Sequence, residues 1–285
     1  MNQLVRSLVI EDLTILPMTP TIGAEIEGID LTRPLTSATV SALRQALLDW
    51  KVLFFRGQDI TTEQHLAFAR CFGELEVHPF APQKPGFPEV LAITHDENNR
   101  GRENTWHSDV TWRLEPSLGS ILRAIELPPV GGDTLFADMY AAYDGLKDEV
   151  KARIDGAVAV HDFAHFRVAM RKRGLSEEAI EAMNRKYPMA EHPVVRTHPE
   201  TGRKCIYVNA AFTQHIVGME KADSDALLAH LYAQAAIPEY QCRFRWSPGA
   251  IAFWDNRASQ HYAVSDYWPA VRKMERVTIV GDRPV

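Results

Sequence analysis

Cysteine is scarce in this 285-residue chain: only Cys71, Cys205 and Cys242 occur, far apart and without CxxC spacing. That excludes a disulfide framework and argues against a thiolate zinc site. A surplus of positive charge is missing too. Lys and Arg total 31 against 37 Asp and Glu, a formal net charge of −6, whereas nucleic acid binding needs a basic footprint. No apolar run reaches the ~18 residues that would span a bilayer. No phosphate-cradling glycine motif opens a helix after a strand, since Gly131–Gly132 precedes a strand instead. Met1–Leu16 carries Glu11 and Asp12 and lacks a charged-then-apolar signal pattern. Repeats and low-complexity segments are absent. These absences predict a cytoplasmic protein with reduced thiols, no nucleic acid partner and no membrane association.

What is present is the balance of a soluble globular protein, 46% apolar and 24% charged, long enough to bury roughly 75% of its unfolded surface. The expected organisation is one domain over residues 1–285. Val40, Leu43, Leu47 and Trp50 give a helical stripe after Ser37. Val52–Phe55 reads as a buried strand closed by Gly57. Thr61 and Gln64 form a capping box for a helix through Phe72. Pro79, Pro82, Pro85 and Pro88 then rule out a long helix. Short strands are expected at Val90–Thr94, Ser120–Ala124, Leu135–Ala137, Ala157–Val160, Cys242–Trp246, Ala250–Trp254 and Val277–Val280. A hairpin pairs Val194–Thr197 with Lys204–Val208, and Asp223–Ala236 is helical. The basic residues Arg167, Arg171, Lys172 and Arg173, with Glu177 and Glu178 nearby, read as a solvated helix face. Short strands flanked by helices predict a mainly β fold, a sandwich or jelly roll with helical cover.

The most informative segment is Trp106-His107-Ser108-Asp109-Val110-Thr111-Trp112. On a strand, residues two apart point to one side, so His107 and Asp109 would aim an imidazole and a carboxylate at one point. His261 is the best third ligand. Two histidines and one carboxylate on one face of a metal leave three positions open, the facial arrangement of Fe(II) oxygenases. In isolation HxD more often marks a hydrogen-bonded pair at a strand end, and a zinc hydrolase could use the same three ligands. Of the other histidines, His161 and His198 read as surface or capping residues. Arg272 and Arg276 follow His261 near the C-terminus. Arginine suits carboxylate or sulfonate, but their spacing alone does not separate an anion site from a surface pair with Glu275 or Asp266.

Taken in order, Trp-His-Ser-Asp-Val-Thr-Trp, Gly131-Gly132-Asp133-Thr134, Trp254-Asp255-Asn256-Arg257, His261, Arg272 and Arg276 resemble the taurine dioxygenase (TauD/TfdA) family. The likeness runs from Gly23-Ala24-Glu25-Ile26 through Phe54-Phe55-Arg56-Gly57-Gln58 to the end of the chain. The resemblance implies a double-stranded β-helix core and a 2-oxoglutarate-dependent non-haem iron dioxygenase. It implies His107, Asp109 and His261 as the catalytic Fe(II) ligands, with O2 and 2-oxoglutarate as co-substrates. It places the distal carboxylate of 2-oxoglutarate on Arg272 and Thr134. His78 and Arg276 match positions that hold the substrate anion, and Val110, Trp112 and Phe212 match positions lining the pocket. Family members are commonly homo-oligomers, dimers or tetramers.

The resemblance is less specific for substrate. Taurine-specific members carry an Asp-Asn pair before the metal histidine, where this chain has Arg102 and Glu103, and a polar contact expected near Phe80 is displaced by Ala81. That favours a small organic anion without an amine: a sulfonate, an alkyl sulfate ester, or an aryloxy or alkyl carboxylate. Hydroxylation next to sulfur or oxygen could lead to C–S or C–O cleavage. A taurine enzyme with rearranged amine contacts is the alternative. A zinc-dependent hydrolase is a distant one, since it gives Arg272 and Thr134 no role, and a metal-free binding protein is opposed by the intact triad. The long excursion 163–188 is expected to be either a lid or a surface insertion.

Overall fold

The computed structural model describes residues 8–10, 13–101, 103–172 and 174–285. Arg102, Arg173 and most of the leading segment read above, including Glu11 and Asp12, lie outside the described residues. The frame is a nine-stranded sheet whose central strands run Val52–Phe55, Ile251–Asp255, Gly119–Glu126, Arg272–Ile279 and Phe87–His95. Facing it is a three-stranded sheet in the order Gln241–Phe244, Thr134–Asp138, Ser259–Ala263. Together they make the expected double-stranded β-helix, or jelly roll. A further three-stranded sheet of Ala190–Pro193, Val158–His161 and Thr213–Ile216 lies outside this frame.

Side-chain alternation decides what each face of the large sheet does. Leu53, Phe55, Ile251, Phe253, Ile121, Val277 and Ile279 point outward into a core shared with the helices Ser37–Trp50 and Thr62–Arg70. Val52, Phe54, Ala252, Trp254, Leu122 and Met274 point inward, into the core between the sheets. There Phe54 stacks on Phe244 of the small sheet, with ring centroids 4.1 Å apart. Both faces are buried, which explains the unbroken apolar run Val52–Phe55. The same alternation turns Ser120, Arg272 and Arg276 inward.

Local signals hold where chemistry is local. Thr61 and Gln64 form the capping box. The first helix is capped by Thr36 rather than Ser37, because the Thr36 hydroxyl accepts from the Thr39 amide. The excursion 163–188 folds into two helices, Ala164–Lys172 and Glu177–Lys186; Arg167, Arg171 and Lys172, read as a helix face, lie on the first, and Glu177 and Glu178 open the second. The last strand begins at Arg272, five residues earlier than expected. Among the described residues, no helix is long and apolar enough to cross a membrane.

Candidate active site

Three turns and strand ends converge at the mouth between the two sheets. The chain leaves the large sheet at Asp255, crosses through Asn256–Ala258 and re-enters the small sheet at Ser259. His261 sits on that second strand, opposite Phe136. His107 joins it as an isolated bridge, with reciprocal backbone hydrogen bonds of 3.1 and 2.8 Å to His261. The two imidazole centroids are 4.2 Å apart.

Asp109 reaches the same place, though not as the strand geometry predicted. Only His107 is in a bridge, and Asp109 opens a turn. Val110 follows at φ 49°, a left-handed conformation that is costly for a β-branched residue. Two buried side chains hold the turn. Ser120 donates to Asp109 Oδ2 at 2.7 Å, and the Asn256 side-chain carbonyl accepts from the Asp109 amide at 3.1 Å. Asn256 Nδ2 also reaches Ser117 and Ser120. With Oδ2 occupied, Oδ1 is the oxygen turned toward the histidines, 3.9 Å from Nε2 of His107 and of His261. All three ligand atoms lie within 4.8 Å of one another.

The donor set fits a divalent metal ion. The Thr105 carbonyl accepts from His107 Nδ1 at 2.7 Å, which leaves the Nε2 lone pair facing the cluster. Burial keeps the His261 imidazole well below its ordinary pKa, hence neutral. Burial works to raise the Asp109 carboxyl, but Arg276, the two histidines and the Ser120 hydroxyl hold it below the usual carboxylate range.

Arg272 is buried, and its Nε and Nη2 have no hydrogen-bond partner among the described residues. A buried guanidinium with free donors is costly unless a carboxylate or similar group meets it. Burial draws its pKa down from the ordinary arginine value. Beside it the Thr134 hydroxyl accepts from Trp246 Nε1 at 3.0 Å, leaving its own proton for a second acceptor. Gly132, at φ 74°, lets the chain pass close by: a Cβ there would stand 3.1 Å from Arg272 Cδ.

His78 is buried, and its Nδ1 accepts from the amides of Phe80 and Ala81, both at 3.1 Å. Its remaining proton is therefore on Nε2. Burial, then the nearby Arg276 and Arg113, lowers its pKa to about 3, so the ring is a neutral donor. Arg276 does not pair with Glu275 or Asp266. Glu275 is on the outer face with Lys84 and Arg123, and Asp266 accepts from the Gly132 amide. Arg276 Nη1 instead donates to Asp109 Oδ1 at 2.6 Å.

Val110, Trp112 and Phe212 share one apolar cluster with Phe163. Phe80, Phe166, Met183 and Tyr187 pack against it, so residues from both insertion helices cover this wall. Sequence reasoning gave no role to Ser120 or Asn256. The only signal for Asn256 was its place in the Trp-Asp-Asn-Arg segment. His161 and His198 are buried, contrary to the surface reading. His161 Nδ1 meets Thr111 at 3.0 Å, and His198 Nε2 donates to Asp255 at 3.1 Å.

Comparison with known proteins agrees with this geometry. Residues 14–278 match the family described as "Taurine catabolism dioxygenase TauD, TfdA family". The chain is 37% identical over 278 residues to an alkylsulfatase of Acinetobacter baylyi, covering 95% of this chain and 86% of that protein. It is 37% identical over 279 residues to an alpha-ketoglutarate-dependent sulfate ester dioxygenase of Pseudomonas putida, covering 96% and 91%. A solved structure of a taurine dioxygenase from Burkholderia xenovorans superposes with a TM-score of 0.82 at 40% identity, covering 96% of this chain and 91% of that one. The chain belongs to the TauD, TfdA family and is a 2-oxoglutarate-dependent non-haem iron dioxygenase, with Fe(II) as its metal and 2-oxoglutarate and O2 as co-substrates.

Proposed function

We propose that this dioxygenase hydroxylates a C–H bond of a small organic anion bearing an apolar tail: a sulfonate, an alkyl sulfate ester, or an aryloxy or alkyl carboxylate. The observation that carries this reading is the pairing of two inward-facing donors, His78 Nε2–H and the Arg276 guanidinium, with the aromatic wall of Trp112 and Phe212. A guanidinium fork and an imidazole N–H suit an anion's oxygens, and the wall suits a chain or ring.

His107 Nε2, Asp109 Oδ1 and His261 Nε2 hold the iron, and Arg272 with Thr134 holds the distal carboxylate of 2-oxoglutarate. When bound, Fe(II) supplies the oxidising chemistry, in which O2 and the keto acid are consumed, succinate and CO2 are released and the substrate is oxidised. The protein's share is to fix the target C–H bond and keep water out. Residues 1–285 act as one domain in this reading. The insertion 163–188 is its lid, because Phe163, Phe166, Met183 and Tyr187 close the apolar side.

Taurine itself is the second reading. Against it, the Glu103 carboxylate that could have met a substrate amine lies 3.3 Å from His95 Nε2. Succinate release measured with taurine, a medium-chain alkyl sulfate and an aryloxyalkanoate decides between them. An apolar-tailed anion outcompetes taurine; a clear preference for taurine overturns the proposal.

A further inference from the structure

Among the described residues, no carboxylate forms an ion pair with Arg272, whose Nε and Nη2 have no hydrogen-bond partner. The guanidinium carbon lies 5.8 Å from the Tyr267 ring centroid, and the phenol is among the groups that favour its charged form. The phenol hydroxyl is 2.6 Å from His95 Nδ1, and His95 Nε2 is 3.3 Å from Glu103 Oε2. The directions of these contacts are set by the far end. A carboxylate 3.3 Å from Nε2 favours the tautomer that carries its proton there. A neutral imidazole then accepts through Nδ1. Tyr267 O–H accordingly donates to His95, which leaves the phenol oxygen's lone pairs available to Arg272.

The packing around the chain is close. A Cβ on Gly101 would stand 2.8 Å from both His95 Nδ1 and the Tyr267 hydroxyl, and a Cβ on Gly132 would stand 3.2 Å from Arg272 Nε and from Tyr267 Cδ1. The Gly101 carbonyl is in turn held by the Ser265 hydroxyl at 2.8 Å. His95 lies directly opposite Arg272 in the sheet, on the neighbouring strand. Four residues from three separate segments thus form one ordered line, running from the half-exposed Glu103 to the buried Arg272. None of the three beyond Arg272 takes part in the iron site or the substrate wall.

We infer that Tyr267, His95 and Glu103 are positioning residues for 2-oxoglutarate: they fix the Arg272 guanidinium in the orientation that receives the distal carboxylate, and so set the affinity for this co-substrate. This rests on the assignment of Arg272 to that carboxylate. A guanidinium with two free donors beside an aromatic cage could otherwise turn about its stem. Lost preorganisation shows in binding and only secondarily in the chemical step.

The test is direct calorimetric titration of 2-oxoglutarate into the Mn(II)-loaded full-length protein, with Arg272→Ala as the reference. Tyr267→Phe and His95→Leu should each weaken 2-oxoglutarate binding about tenfold, the scale of one hydrogen bond in a charged chain. His95→Gln can accept through its carbonyl and donate through its amide, and should restore affinity to within about threefold. Mn(II) affinity should be unchanged in all three, and in turnover the loss should fall on KM for 2-oxoglutarate rather than on kcat. If Arg272→Ala loses binding while Tyr267→Phe binds as the wild type does, the inference is overturned and the Arg272 assignment stands. If Arg272→Ala also binds normally, the assignment fails and the inference with it. Should His95→Leu not fold by circular dichroism, Tyr267→Phe and His95→Gln decide the matter alone.

Discussion

Arg276 Nη1 rests 2.6 Å from Asp109 Oδ1, the same oxygen that stands 3.9 Å from the Nε2 atoms of His107 and His261. A cation from the substrate side therefore meets the carboxylate from the metal side. The two functions proposed for this mouth, holding iron and gripping an anion, share one contact.

The metal ligands are tested singly. His107→Ala, Asp109→Ala and His261→Ala should each abolish turnover and weaken Mn(II) binding, measured by electron paramagnetic resonance. Far-ultraviolet circular dichroism should stay native, because the two sheets are joined mainly by the apolar core between them. Full activity in Asp109→Ala would remove it from the ligand set.

Arg276→Ala should cripple substrate-coupled succinate release while Mn(II) and 2-oxoglutarate still bind. The expected loss is about 2–5 kcal/mol, the range for truncating one member of a buried hydrogen-bonded charge pair. His78→Ala should raise the substrate KM more than it lowers kcat. An Arg276→Ala enzyme with unchanged coupled turnover would place the substrate anion elsewhere.

Arg272→Ala should raise the 2-oxoglutarate requirement by a similar amount, about 2–5 kcal/mol. Thr134→Val should cost less, on the order of 1 kcal/mol for one hydrogen bond. Apparent 2-oxoglutarate affinity from steady-state kinetics reads both, and equal effects from the two substitutions would contradict this ranking.

Acid should destabilise the fold through histidines far from the mouth as well as near it. Burial lowers His65 to about 3 and His192 to about 4, while their ordinary value is 6.5. Between about pH 6.5 and 4 the unfolded chain binds more protons than the folded one, so stability falls as pH falls through that window. His192 Nε2 donates to the Arg113 carbonyl at 2.7 Å. His192→Gln can keep a donor there without a titrating ring. Its Tm should drop less steeply than the wild type's between about pH 7 and 4.5. An equal slope would show that His192 contributes nothing to the acid lability.

The proposed metal cluster was legible because its chemistry is carried by residue type and order, and the structure brings the ligand atoms of His107, Asp109 and His261 within 4.8 Å of one another. How Asp109 is aimed was not legible. A strand at HxD was the simplest reading, whereas the structure uses a turn, a strained Val110, and Ser120 and Asn256 from distant segments. Those two meet Asp109 only because the chain crosses between sheets at Asn256, a tertiary property with no local pattern. The buried His161 was misread for the same reason, since its partner Thr111 comes from another segment; His198 does cap the turn after it, its Nδ1 accepting from the Glu200 and Thr201 amides, but its burial against Asp255 was not legible. Arg167, Arg171 and Lys172 were legible as a helix face, but the bounds of Ala164–Lys172 were not, because His165 and these basic residues interrupt its apolar positions. Phe166 is part of what that helix offers the substrate wall.

Among the described residues proposed to touch the guests there are one carboxylate, Asp109, and two guanidiniums, Arg272 and Arg276; the nearby Glu76 and Arg113 offset each other in an ion pair of 2.8 Å, and metal-binding imidazoles are neutral when they ligate. The protein thus brings one net positive charge, and a divalent ion raises it to three. A dianionic keto acid returns it to one, and a singly charged substrate brings it to zero. Electroneutrality is reached only when all three guests are present. A zwitterionic guest would leave the filled cavity charged, so the count of fixed side-chain charges already discriminates among substrates before any contact with their carbon skeleton.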